Sequence, residues 1–119
     1  MAARADRFRP RPALDQQITA LQRPRPADGS AREFVQGALA ALRWLLAEGP
    51  APLTRTLTAQ PPPPASVAAE LAAADKLIYH WRPARREYGR GVQQALMWAQ
   101  YATAMPPAPT LRSPLRTNR

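Results

Sequence analysis

The stretch Tyr79-His80-Trp81-Arg82-Pro83-Ala84-Arg85-Arg86-Glu87-Tyr88-Gly89-Arg90 holds the densest chemistry in this sequence. Four arginines, Arg82, Arg85, Arg86 and Arg90, stand among Tyr79, Trp81, Tyr88 and the only histidine of the chain. Guanidinium forks suit phosphate oxygens, and aromatic rings suit the faces of bases. The pattern predicts an anion or nucleic-acid contact through these four arginines. The competing expectation is a solvated helix junction whose aromatics turn into a core while Glu87 pairs an arginine. No helix-turn-helix, zinc-finger or RRM signature surrounds the stretch, so any binding is expected to be weakly sequence-specific.

Catalysis finds little support. A general base at His80 needs an orienting acid and a nucleophile within reach. Asp75 and Glu87 lie five and seven residues away, not at the helical contact spacing of three or four. Glu33, Glu48 and Glu70 complete the carboxylates of the central region, and no two are spaced as an acid–base or metal-binding pair. The chain lacks cysteine, a glycine-rich phosphate loop, and the GxSxG and SxxK nucleophile motifs. These features predict a non-enzyme with no cofactor, no metal and no small-molecule substrate.

A second pattern is internal. Residues 32–44, REFVQGALAALRW, align with residues 86–98, REYGRGVQQALMW, at an offset of 54. Phe34, Gly37, Ala41, Leu42 and Trp44 match Tyr88, Gly91, Ala95, Leu96 and Trp98. Gly37 and Ala41, like Gly91 and Ala95, are four apart, and small residues at that spacing let another backbone come close. A mid-helix glycine costs about 1 kcal/mol relative to alanine, so packing is its usual reason. The pattern predicts two equivalent helices related by an approximate two-fold axis, within one chain or across a dimer. These ten residues are the expected packing interface.

The elements that would carry these residues read as three helices. Ser30-Ala31-Arg32-Glu33 has the form of a capping box and opens a helix over about 30–48. Gly49-Pro50 is its expected stop, with Gly49 left-handed. A Pro-rich linker over 50–65 ends in Pro61-Pro62-Pro63-Pro64, expected to be a stiff polyproline II spacer. Val67, Leu71, Ala74, Ile78 and Trp81 repeat at 4, 3, 4, 3 and predict a seam on a helix over about 66–82. A third helix follows over about 84–104, separate from the second or continuous with it through a kink at Pro83. Residues 1–29 read as a flexible basic arm, with one short helix over 13–22 compatible with Leu14, Ile18 and Leu21. Residues 105–119 read as a disordered basic tail.

Composition bounds all of this. The 119 residues carry a net charge of +9, with 16 arginines against one lysine. Twenty-five alanines and 15 prolines go with them. The arginine, alanine, proline and glycine excess matches GC-rich coding, as in high-GC bacteria and their mobile elements. GC content does not explain basic over acidic, so the surplus charge predicts attraction to something anionic. Length excludes a large enzyme core, and no apolar run is long enough to span a bilayer. Location is expected to be cytoplasmic. Few large aliphatics are present, so the core is expected to be completed by a protein partner or a second copy. The combined expectation is a small all-α assembly. Its leading function is a protein–protein interaction or adaptor protein using the repeated Gly/Ala-Leu-Trp helices; the alternative is an accessory nucleic-acid binder using Arg82–Arg90 and the basic ends.

Overall fold

A computed structural model describes residues 7–23, 29–57 and 60–110, without the side chains of residues 29, 30, 109 and 110. The described chain is all-helical: α1 (Arg11–Gln22), α2 (Gly29–Leu45), α3 (Pro64–Leu77), α4 (Pro83–Ala99) and one short turn, α5 (Pro107–Thr110). No helix among the described residues is long and apolar enough to cross a membrane.

Four helices of twelve residues or more replace the three expected. The first of them is the short helix allowed for over 13–22 in the region otherwise read as a flexible arm. Pro10 caps α1 in an extended conformation and Pro12 sits in its first turn, where a missing N–H is no loss. Leu14 and Leu21 are buried, with Ile18 packed against the same core. Residues 7–23 are therefore docked on the helical body, while 1–6 and 24–28 lie outside the described residues. The Ser30 capping box also falls there, because the Ser30 side chain is not described.

Each expected helix ends early. α2 stops at Leu45, and the left-handed residue after it is Ala47 (φ 65°), not Gly49. The Glu48 N–H closes this end by donating to the Arg43 carbonyl at 2.8 Å. α3 stops at Leu77 and α4 starts at Pro83, so the two are separate helices. α4 stops at Ala99, followed by left-handed Tyr101 (φ 66°) and an Ala102 N–H donating to the Met97 carbonyl at 2.8 Å. Helix bounds, left-handed residue and closing bond thus recur in α2 and α4 at one offset, 54 residues.

One proline of the expected spacer is docked and another opens a helix. Pro62 is buried and its carbonyl accepts from Arg7, while Pro64 is the first residue of α3. Residues 105–110, read as tail, pack back as well: Gln94 donates to the Met105 carbonyl and the Ala108 N–H to Gln17 Oε1. Residues 111–119 lie outside the described residues.

The core centres on the crossing of α2 and α4, with α3 against α4 and α1 against α2. Among the described residues, seven of its nineteen buried apolar residues are alanines. Small side chains fill a core only where backbones approach closely, so the shortage of large aliphatics is met by tight helix contact. The Cα radius of gyration, 14.1 Å, is close to the ~13.5 Å of a folded domain this long.

Candidate functional sites

Gly37 and Gly91 face each other across the α2–α4 crossing. A Cβ on Gly37 would fall on the Tyr88 carbonyl oxygen and lie 3.2 Å from the Val92 nitrogen. A Cβ on Gly91 would fall on the Phe34 carbonyl oxygen and lie 2.9 Å from the Ala38 nitrogen. The partners are equivalent, since Phe34 aligns with Tyr88 and Ala38 with Val92. Around this contact Ala41, Leu42, Trp44, Ala95, Leu96 and Trp98 are buried, as is Phe34, while Tyr88 is half-buried. The small-residue face of each copy is covered by the other copy within one chain. Gly89, which the sequence pattern does not single out, plays the same part toward α3: a Cβ there would lie 2.6 Å from Leu77 Cβ and 3.0 Å from the Ala74 carbonyl oxygen.

The basic aromatic stretch is split by the structure. Tyr79 and Trp81 lie in the turn between α3 and α4 and are 80% and 74% exposed. Trp81 is thus not part of the α3 seam, and the aromatics of this turn are not core. The turn is held from both sides. The Arg82 N–H donates to His80 Nδ1 at 3.0 Å, and Arg86 donates to the His80 carbonyl at 2.9 Å. The His80 ring stacks on Trp81 at 5.7 Å between centroids, and the Arg82 guanidinium lies 4.7 Å from the Trp81 ring centre.

The four arginines therefore have different situations. Arg82 and Arg85 are exposed, the latter with its guanidinium 5.6 Å from the Tyr88 ring centre. Arg86 is half-buried and spent on the turn's carbonyls, while Arg90 pairs with Glu87 at 3.6 Å. The first turn of α4 contains no acidic residue. Arg85 and Arg86 thus oppose the positive end of the helix dipole without compensation, an arrangement costing about 0.3–1 kcal/mol per charge at an exposed site.

A third feature escaped the sequence. Glu70 on α3 is 1% exposed, and its two carboxylate oxygens accept from the Leu53 and Thr54 N–H groups at 2.8 and 3.0 Å. Gln17 on α1 does similar work for the chain after α4, accepting from the Ala108 N–H at 2.9 Å. A buried carboxylate with backbone donors has no pattern in sequence, because the donors lie sixteen and seventeen residues away. The contacts of His80 are with Trp81, Arg82 and Arg86, and no group of three or more acidic or histidine residues among the described ones is placed to hold a metal.

The chain matches no family model, no curated protein and no solved structure, so its function is read from its geometry.

Proposed function

We propose that this chain is a non-enzymatic nucleic-acid-binding protein that engages single-stranded segments through the α3–α4 turn. The observation that carries this reading is Trp81, largely exposed in a hydrogen-bonded turn with the Arg82 guanidinium over its ring. Isolated exposed aromatics are ordinary; the case lies in their conjunction with Tyr79, Arg82 and Arg85. Stacking of a base on an aromatic ring contributes about 1–3 kcal/mol, and arginines beside it neutralise the phosphates. The Gly/Ala-Leu-Trp faces that an adaptor role would use are turned toward each other within this chain, which favours the exposed turn as the contact surface.

The test is fluorescence anisotropy with dye-labelled oligo(dT) at about 50 and 200 mM salt. Trp81→Ala is expected to weaken binding by about 1–3 kcal/mol. Arg82→Gln and Arg85→Gln should each flatten the log–log salt dependence by about 0.7. Trp81 is the indole open to solvent, so binding should also quench tryptophan emission, and Trp81→Phe should abolish that quench. Displacement of the oligonucleotide by an equal charge of polyglutamate, with no effect of Trp81→Ala, would reduce the interaction to charge alone.

A further inference from the structure

Arg55 combines exposure with an unusual backbone. It adopts φ 63°, a left-handed conformation that a non-glycine residue takes at a cost. Such residues persist where the surroundings over-determine them, and they concentrate at ligand clamps. Here the surroundings do so fully. The Arg55 N–H donates to the Ala51 carbonyl and the Ala51 N–H to the Thr56 carbonyl, both at 3.0 Å. Two residues of the same loop donate to buried Glu70, and the Tyr88 hydroxyl donates to the Pro52 carbonyl at 3.3 Å. Five hydrogen bonds fix a short loop whose exposed end carries a cation.

That loop borders the basic corner. Tyr88 links them: its hydroxyl ties to the loop three residues before Arg55, and its ring carries the Arg85 guanidinium. Both arginines act electrostatically on the same phenol.

We infer that Arg55 continues the binding surface of the α3–α4 turn, so that Arg82, Arg85 and Arg55 form one phosphate track past Tyr88 for a single nucleic-acid strand. This rests on the proposed function and adds a residue on a different element. Glu70 is the positioning residue: it touches no ligand and holds the loop that presents Arg55. A track made by two elements favours an extended strand over an isolated anion, because a strand brings several phosphates to the three arginines and a lone anion brings one.

The experiment compares the full chain with Arg55→Gly and Arg55→Lys, using labelled oligo(dT) and inorganic phosphate as probes. Glycine relieves the left-handed backbone, so Arg55→Gly is expected to melt no lower than the parent. It should bind oligo(dT) several-fold more weakly, with a salt slope shallower by about 0.7, while Arg55→Lys keeps the slope. Phosphate should compete poorly with all three. If Arg82→Gln weakens binding and Arg55→Gly matches the parent, the track is wrong and the α3–α4 turn stands alone. If the parent fails to bind oligo(dT) near physiological salt, both the turn and the track fail. Should Arg55→Gly melt lower, Arg55→Lys decides: a restored slope supports the track and an unrestored one overturns it.

Discussion

At Gly37 and Gly91 a single missing methyl sets the distance between two helices. Helix propensity alone favours alanine over glycine by about 1 kcal/mol. Here a Cβ would strike a facing carbonyl oxygen, and backbone cannot turn aside as a side chain can. Overpacking costs about 1–3 kcal/mol, and the upper end applies to a backbone clash. Gly37→Ala and Gly91→Ala are therefore expected to lose about 2 kcal/mol net, read by chemical denaturation. Gly49→Ala is the control, since nothing lies within 4 Å of its Cβ position; equal stability of all three would refute the close contact. Tyr88 gives a second prediction. Burial, the largest influence, raises its phenol above the ordinary value of 10.0; Arg55 and Arg85 lower it, and Glu33 and Glu70 raise it. In alkali the unfolded chain therefore releases this proton first. Stability should be intact below pH 10 and fall as pH rises from there toward the higher folded value, with Tyr88→Phe flattening that decline in a series of melts.

At the scale of elements, the stripes of α2 and α4 are legible because apolar residues recur at 3.6 spacing. The ends of the helices are much less so. Prolines read as terminators, yet Pro12, Pro64 and Pro83 all lie in first turns, where a fixed φ and a missing N–H suit a beginning. The seam pattern runs on to Trp81, but the chain leaves α3 at Leu77. Pro83 accounts for the far side of this break: it disfavours helical backbone at the preceding residue, and Arg82 is extended (φ −88°, ψ 123°). Trp81, in the turn between, is exposed and belongs to the candidate site. Arg55 and Glu70 were invisible because a loop held from another helix leaves no periodicity. Docking of the N-terminal region is signalled by Leu14, Ile18 and Leu21, but the arginine that helps to hold it is not. Arg9 looks like one of many basic residues, but its guanidinium lies 4.8 and 4.5 Å from the Trp98 and Tyr101 ring centres and donates to the Trp98 and Thr103 carbonyls. Arg9→Ala should accelerate hydrogen exchange in α1 while α2 and α4 keep their protection. Uniform loss of protection would show that α1 is no separate unit.

For the whole molecule, the corresponding ends of α2 and α4 and their reciprocal glycine contacts describe two similar halves, α1–α2 and α3–α4. Among the described residues, the alanine-rich face of each half packs on the facing helix of the other. The two halves are joined by residues 46–63, and the most extensive helix–helix contact, α2 on α4, lies between rather than within them. Another molecule of the same sequence offers the identical complementary half. Exchange of halves between chains then keeps the α2–α4 contact while the connection, with its bonds to Glu70 and Tyr88, must open and re-form, the route by which swapped dimers arise. Refolding at high concentration is expected to yield a dimeric fraction on size-exclusion chromatography that reverts slowly after dilution, with Gly91→Ala reducing monomer and dimer alike. Monomer alone at every concentration would show that residues 46–63 are too firmly held to open. An interface built from repetition cannot distinguish its own other half from a neighbour's; only the tether's effective concentration keeps the pairing at home.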